Sequence, residues 1–170
     1  MQVRLSLARV KQSEGNVLDF KFKENIRQIK VKQEDLNFAE PVRVEGRVEN
    51  IGDRIIEVQG SIKTSVEDSC YRCLAKIRVN LNISFCFKFS DVPIEFDEEE
   101  IIPFSGDEIE LRPYILNEII LNWPGQILCK PDCKGICPHC GANLNITACH
   151  CKDEEIDPRL SVLKQFLERD

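Results

Sequence analysis

The chain has 170 residues, of which 42% are hydrophobic and 31% are charged, a composition that is typical of a globular domain and excludes disordered and fibrous proteins. No segment approaches the run of about 18 apolar residues that a transmembrane helix needs. The N-terminal residues alternate between polar and apolar without the apolar core of a secretory signal, so we expect a cytoplasmic protein.

Charge is distributed unevenly along the chain. Residues 1–88 contain 16 Lys and Arg against 12 Asp and Glu, whereas residues 89–170 contain 7 against 17. The default explanation is ordinary surface solvation. The alternative is that the N-terminal half faces a polyanion, because the C-terminal half would repel it. The sequence pI of about 5.1 argues against a strong, autonomous nucleic-acid-binding protein.

The first third of the chain shows weak strand signals. Two-residue alternation predicts short strands over residues 2–8 and 18–22 and a stronger one over residues 41–49, followed by a turn at residues 50–53. Residues 24–38 fit a helix and a strand equally well. This part of the sequence therefore predicts strands of a sheet without specifying the conformation of residues 24–38.

Two long segments in the middle of the chain alternate strictly between apolar and polar side chains. The apolar positions are Ile56, Val58, Ile62 and Val66 in the first segment, and Ile77, Val79, Leu81, Ile83, Phe85, Phe87 and Phe89 in the second. Such half-buried strands predict an antiparallel sheet with one polar face. The sequence Ser69-Cys70-Tyr71-Arg72-Cys73-Leu74 links them, which places two thiols at a hairpin tip where they can converge on a metal ion.

Residues 91–110 contain nine acidic residues and no Lys or Arg. This composition predicts a solvated, mobile loop. The alternative is an acidic surface, including Glu98, Glu99 and Glu100, that binds a basic protein. Calcium binding is rejected because the spaced Asp and Asn pattern with a central Gly is missing.

Two helices are predicted in the C-terminal half. The first begins near Pro113 and ends before Pro124-Gly125, with an apolar face made of Ile115, Leu116, Ile119 and Ile120. The second begins at an Asp157 N-cap and carries an apolar stripe made of Leu160, Leu163, Phe166 and Leu167.

The chain contains nine cysteines, an odd number in a sequence without an export signal. A reducing cytosol does not maintain structural disulfides, so clustered cysteines there are better interpreted as metal ligands. Thiolates three residues apart can bind one tetrahedral zinc ion, and the Gly that follows Cys140 favours the sharp turn this needs. The sequence therefore predicts one or two zinc ions.

Eight of the nine cysteines are candidate ligands. Cys86 lies on the polar face of its strand and is expected to be a spectator, as are His139 and His150. One partition of the ligands puts Cys70, Cys73, Cys129 and Cys133 on one ion, and Cys137, Cys140, Cys149 and Cys151 on another. The rival partition puts Cys129, Cys133, Cys137 and Cys140 on a single ion and leaves the others reduced.

The predicted ligand chemistry favours a structural metal over a catalytic one. A catalytic zinc keeps an open position for water, usually beside His or carboxylate ligands, whereas four-thiolate sites are closed. A thioredoxin-like thiol pair needs a βαβ context, and Cys70 and Cys73 lie between antiparallel strands instead. We therefore expect no enzyme activity, with a thiol redox enzyme as the less favoured alternative.

The cysteine motifs resemble those of the YceD family of bacterial proteins. The resemblance begins with the CYRC tip, the phenylalanine-rich strand and the acidic loop, and spans roughly residues 65–165. It continues in residues 119–124 (IILNWP), 133–138 (CKGICP), 140–145 (CGANLN) and 157–160 (DPRL). The resemblance implies a role in the accumulation of large-subunit ribosomal RNA and brings no catalytic residues with it.

These observations lead to one interpretation of the whole chain. We expect an α+β fold, mainly antiparallel sheet with a few short helices, in which residues 1–124 form a strand-rich domain and residues 125–170 a zinc-binding segment and terminal helix. We expect a non-catalytic factor in ribosome biogenesis whose partner is large-subunit ribosomal RNA, a ribosomal protein or a pre-ribosomal particle, with no membrane and no small-molecule substrate. Arg72, Lys76 and Arg78 are candidate RNA-binding residues, with solvation of the strand edge as the default explanation of their charge. The alternative is an adaptor for a basic ribosomal protein.

Overall fold

The computed structural model describes residues 3–31, 34–92 and 101–151. Within these ranges the chain contains one α-helix, α1 (Arg112–Leu121), a single turn of 3-10 helix at Val10–Gln12, and short and long strands. The strands are β1 (Arg4–Ser6), β2 (Val17–Glu24), β3 (Gln28–Val31), β4 (Glu34–Phe38), β5 (Val42–Gly52), β6 (Ile55–Ser69), β7 (Lys76–Ser90), β8 (Ile101–Pro103) and β9 (Glu108–Glu110). In the described part of the chain, no helix is long and apolar enough to cross a membrane.

The β6–β7 hairpin is the centre of the fold. Its two strands pair antiparallel over their whole length, from Ile55 opposite Ser90 to Ser69 opposite Lys76. The other edge of β6 pairs with β5 and then, nearer the hairpin tip, with the end of β4. Strands β2 and β3 extend this sheet, β8 pairs in parallel with the end of β7, and β1 and β9 form a separate two-stranded sheet. The mainly antiparallel sheet is as predicted.

The predicted alternation in β6 and β7 is confirmed by burial. The buried side chains of the two strands include Ile56, Val58, Ile62, Val66, Leu81, Ile83, Phe85 and Phe89. Helix α1 covers β7, with the Tyr114 ring centroid 5.3 Å from that of Phe89, and it buries Ile115 and Ile119. Each such buried apolar side chain contributes about 1.5–3 kcal/mol to stability. The hairpin and its covering layer thus form a well-packed base for the tip.

Three predicted segments differ from the structure or lie outside it. The undecided residues 24–38 contain strands β3 and β4. The turn predicted at residues 50–53 is centred instead on Asp53 and Arg54, both with positive φ, because β5 continues to Gly52. The predicted terminal helix after Asp157 lies outside the described residues.

The predicted acidic loop is wrong in its second half. Strands β8 and β9 lie within it, and two of its acids form ion pairs with basic residues elsewhere in the fold. Asp91 contacts Arg54 at 2.8 Å and Lys11 at 3.4 Å, and Asp107 also contacts Lys11 at 3.4 Å. These strands form because they pair with β7 and β1, and the composition of the segment does not reveal that pairing. Glu98, Glu99 and Glu100 lie outside the described residues.

Candidate metal centres

The hairpin tip is a tight turn that points two thiols to one side. Leu74 N–H donates to the carbonyl oxygen of Cys70 at 2.9 Å, and Cys70 N–H donates to the carbonyl oxygen of Ala75 at 2.8 Å. Backbone N–H groups of Arg72 and Cys73 donate to the Cys70 sulfur. Cys70 and Cys73 are 0% and 6% exposed, because they pack with Cys133, Ala75 and Leu128.

The segment that follows helix α1 brings two more thiols to this tip. Tyr71 N–H donates to the carbonyl oxygen of Ile127 at 2.9 Å, which fixes the register between tip and segment. The Sγ atoms of Cys70 and Cys133 are 3.7 Å apart. Those of Cys73 and Cys129 are 3.5 Å apart. All four sulfurs lie within 4.8 Å of one another, so residues distant in sequence form one compact group.

A second contact locks the same segment onto the tip. The Arg72 guanidinium donates from Nη1 to the carbonyl oxygen of Cys133 at 3.0 Å. Gly135 has φ of +78°, and a Cβ there would lie 3.2 Å from the Arg72 carbonyl oxygen. Glycine is required at this position both by the backbone conformation and by the close approach of the two chains.

The remaining four thiols form a second group in the same way. Gly141 N–H donates to the carbonyl oxygen of Cys137 at 2.9 Å, the equivalent of the turn at Cys70. Cys149 Sγ lies 3.5 Å from Cys140 Sγ and 3.4 Å from Cys137 Sγ, and Cys151 completes the group. Cys140 and Cys151 are exposed, so this second group is more accessible to water than the first.

The spacing of the sulfurs fits a tetrahedral metal ion. Four sulfurs placed about 2.3 Å from a zinc ion at tetrahedral angles lie about 3.8 Å from one another. The four Sγ···Sγ distances in the structure, 3.4–3.7 Å, are close to that value. Soft thiolate ligands favour zinc over magnesium, calcium and manganese. Both groups could therefore hold a zinc ion without large rearrangement.

The electrostatics of the thiols also fit a cation. Burial opposes ionisation of Cys70, but backbone donors led by Cys129 N–H outweigh it and lower its pKa to about 6. The N–H of Cys140 is the main cause that lowers the pKa of Cys137 to about 6. In contrast, the neighbouring Cys73 thiol raises the pKa of Cys129 to about 12. Because adjacent thiolates repel, ionising all four requires a positive charge among them.

The structure separates the predicted ligands into the two groups of the first partition, and the rival single group is not formed. Cys86 is exposed on β7 and belongs to neither group, and neither His139 nor His150 does. The membership of the first group depends on pairings across more than 50 residues, which spacing in the sequence suggests but does not specify.

The three candidate RNA-binding residues differ in the contacts that they make with other residues of the protein. Arg72 binds the Cys133 carbonyl oxygen, and Arg78 forms an ion pair with Glu67 at 3.0 Å. Lys76 is exposed at the start of β7. RNA binding by these residues stays a prediction.

Sequence reasoning missed the role of Asn145, whose Nδ2 donates to the sulfur of Cys133 at 3.3 Å.

A family model described as "Large ribosomal RNA subunit accumulation protein YceD" matches residues 58–167. The chain belongs to the YceD family. This confirms the resemblance drawn from the cysteine motifs, and the match contains both candidate metal centres.

The relatives of the chain include bacterial and plant proteins. It is 30% identical over 141 residues to an uncharacterised protein of Bacillus subtilis called YlbN, covering 80% of each chain. It is 30% identical over 125 residues to an uncharacterised protein of Mycobacterium tuberculosis, covering 71% of this chain and 59% of that protein. A Zea mays protein named "Large ribosomal RNA subunit accumulation protein YCED homolog 1, chloroplastic" is 38% identical over 80 residues, which are 46% of this chain and 27% of that protein.

The chain thus spans about three fifths of the length of the mycobacterial relatives that it matches. No solved structure matches it.

Proposed function

We propose that this protein is a non-catalytic factor in ribosome biogenesis that supports the accumulation of large-subunit ribosomal RNA. The observation that carries the proposal is the family match over residues 58–167. The names of the plant relatives describe such a role for those proteins. Residues 125–151 add a structural reason, because they fasten a cysteine-rich surface to the well-packed β6–β7 hairpin.

We further propose that each thiol group holds one zinc ion with a structural role. Four sulfurs at tetrahedral spacing complete the coordination of zinc, so such a site offers no position for a substrate or a reactive water. Cys70, Cys73, Cys129 and Cys133 would hold the ion that ties the hairpin tip to the C-terminal segment. Cys137, Cys140, Cys149 and Cys151 would hold the ion that shapes the segment itself.

The thiol redox alternative receives less support from the geometry. A thioredoxin-like pair needs its second cysteine on a helix that follows a strand. Cys73 instead precedes Ala75 and strand β7, and its sulfur lies beside that of Cys129. We therefore propose that the thiols act as metal ligands and not as a redox pair.

The proposal is tested by the ratio of large-subunit to small-subunit ribosomal RNA in cells that lack the gene. We expect the ratio to fall and the wild-type gene to restore it. A gene carrying Cys133→Ser should restore it poorly, whereas the matched control Cys86→Ser should restore it fully, with the amount of each protein measured by immunoblot. An unchanged ratio in the deleted strain would contradict the proposal.

A further inference from the structure

The outer face of the main sheet carries a line of basic side chains. This face is formed by the side chains of β2, β5, β6 and β7 that alternate with the buried ones and point away from the core. Strand register places Lys23 opposite Arg43, and Arg43 opposite Lys63. Asn82 of β7 continues the line beyond Lys63, and all four residues are exposed. We call Lys23, Arg43 and Lys63 the cation row.

The cation row is unfavourable for the sheet itself. Directly opposite residues of an antiparallel pair have Cβ atoms about 4.5–5.5 Å apart, and like charges at such positions destabilise the pairing. Nearby carboxylates relieve the repulsion in part, since Arg43 lies 3.8 Å from Glu40 and Lys63 lies 3.2 Å from Glu45. Lys23 forms no ion pair with any residue that the structure describes. A bound anion would remove the remaining repulsion.

Basic side chains outnumber acidic ones over the central part of the outer face. Three consecutive rows of cross-strand neighbours contain five basic residues, Lys21, Lys23, Arg43, Arg47 and Lys63, and two acidic ones, Asp19 and Glu45. Adding Glu40 at the edge still leaves a positive surplus, although the whole chain has a formal net charge of −6.

The ion pairs on this face are weak enough to be exchanged. Asp19 lies 3.8 Å from Arg47, and Glu45 lies 3.2 Å from both Lys21 and Lys63. The side chains in these pairs are 46–82% exposed. Exposed ion pairs of this kind contribute little to stability, because water and salt screen them. A partner with several negative charges can therefore compete for the same basic groups.

The β6–β7 half of the outer face carries uncharged hydrogen-bonding groups, which belong to Gln59, Ser61, Asn80, Asn82 and Ser84. A shallow depression of about 540 Å³ lies here, and its lining includes Arg47, Gln59 and Ser84. Amide and hydroxyl side chains, like lysine and arginine, bind the phosphate and sugar oxygens of nucleic acids. A chain that crosses the four strands would meet both kinds of group.

We propose that the outer face of β2, β5, β6 and β7 binds the phosphodiester backbone of RNA. The cation row pairs with successive phosphates, and the amide and hydroxyl groups of β6 and β7 bind phosphate and ribose oxygens. The row spans two strand spacings, about 10 Å, so it suits a chain of phosphates better than one phosphate ion. The inference deepens the proposed function and rests on it for the expectation that the RNA is ribosomal.

An acidic protein is the less suitable occupant of this face. The centres of protein–protein interfaces contain apolar or aromatic anchors, whereas protein–nucleic acid interfaces are more polar and more positively charged. The side chains that form the cation row and its neighbours are charged, amide or hydroxyl groups. Binding of an acidic peptide is therefore the alternative that the experiment must detect.

The test is the fluorescence anisotropy of a short fluorescein-labelled single-stranded RNA, titrated with the zinc-loaded full chain at several salt concentrations. We expect binding that weakens as salt rises, because each phosphate contact releases counterions. Arg43→Gln, at the centre of the cation row, should weaken binding about threefold, the size expected of one exposed charge pair. It should also reduce the slope of log affinity against log salt by about one. Arg43→Lys keeps the charge and should retain most of the affinity.

The most informative variant combines Lys23→Gln, Arg43→Gln and Lys63→Gln. We expect it to bind RNA at least about tenfold more weakly, since three exposed charge pairs are lost together. Its resistance to urea should be retained, because glutamine is also long and polar and the repulsion between the strands is removed. The matched control removes three charges from exposed residues outside this face, with Arg4→Gln, Arg9→Gln and Lys130→Gln, and should bind almost as tightly as the wild type.

Two competitors distinguish the possible sources of negative charge. Inorganic phosphate and a polyglutamate peptide, each supplied at the same concentration of charge as unlabelled RNA, should displace the labelled RNA poorly. Effective competition by phosphate would make the face a site for a single anion. Effective competition by the peptide would make it a site for an acidic protein, and either result would overturn the inference.

The variants give two further results that would overturn the inference. The first is equal RNA binding by the cation-row variant and the wild type. The second is an equal loss of binding in the control with three charges removed elsewhere. Because this assay uses only purified protein and RNA, its failure is distinguishable from an unchanged ribosomal RNA ratio in deleted cells, which would contradict the proposed function alone.

Discussion

Asn145 donates a hydrogen bond from Nδ2 to the sulfur of Cys133 at 3.3 Å, which joins the loop of the second thiol group to a ligand of the first. The same side chain accepts the Lys134 N–H at 3.0 Å through Oδ1. Leu144 N–H donates to the Gly135 carbonyl oxygen at 3.0 Å, so the loop is held at several points. The two candidate metal centres are therefore parts of one hydrogen-bonded unit.

This contact predicts that a residue outside the first thiol group affects its metal affinity. Asn145→Ala should weaken metal binding at the group containing Cys133 by about tenfold, because hydrogen-bond partners of ligands typically contribute that much. The measurement is competition with a chromogenic zinc chelator. The control is Thr147→Ala in the same loop, whose side chain makes no hydrogen bond to a thiol. Equal affinities of Asn145→Ala and the wild type would show that the contact is incidental.

Leu74 and Gly141 occupy equivalent positions, directly after the second cysteine of each turn, and substitutions there should have opposite effects on stability. Leu74→Gly should raise the free energy of unfolding by about 1 kcal/mol, since it relieves the left-handed strain at Leu74, whose φ is 58°. Gly141→Ala should lower it by about 1 kcal/mol, although a Cβ there meets no atom within 4 Å. Urea denaturation of the zinc-loaded proteins measures both changes. If Leu74→Gly is the less stable protein, the leucine side chain stabilises the tip in some other way.

Alternation in the sequence was sufficient to predict β6 and β7 because each is long and buried on one face. It was insufficient for residues 24–38, where β3 and β4 have only four and five residues and depend on pairing with each other and with β6. Strands β8 and β9 were missed because each has only three residues. The partner of β9 is β1, near the N-terminus, and acidic residues conceal the short apolar runs.

The candidate site was predictable in its ligands but less so in its surroundings. The spacing and number of the cysteines suggested the two sets of four. Neighbouring cysteines can bind the same ion, and eight candidate ligands are enough for two four-thiolate sites. Nothing in the sequence indicated that Asn145 donates to the sulfur of Cys133 or that the Arg72 guanidinium binds the Cys133 carbonyl oxygen. Such contacts depend on how the segments pack in three dimensions, which a single sequence does not specify.

The ion pair between Arg54 and Asp91 predicts a pH-dependent contribution to stability. The hydrogen bond from Arg54 is the main cause that lowers the pKa of Asp91 below its ordinary value. A lowered folded-state pKa means that this contribution is present above the unfolded value, about 3.9, and is lost as the pH falls through the folded value.

The test of this prediction is the difference in the free energy of unfolding between the wild type and Asp91→Asn. We expect the wild type to be more stable near neutral pH and the difference to shrink as the pH falls below about 4. Comparing two proteins at each pH cancels effects shared by both, such as loss of metal. The control Asp19→Asn, at a carboxylate that is 82% exposed and 3.8 Å from Arg47, should show little difference at any pH. A difference that does not vary with pH would contradict the assignment.

The measurement that tests the account most directly is the zinc content of protein purified without added metal, determined by elemental analysis. Two zinc ions per chain are predicted, one for each thiol group. Cys73→Ser and Cys149→Ser should each lose one ion, whereas Cys86→Ser should keep both. X-ray absorption should show sulfur ligands at about 2.3 Å. A metal content near zero, with all nine cysteines reacting as reduced thiols, would contradict the account.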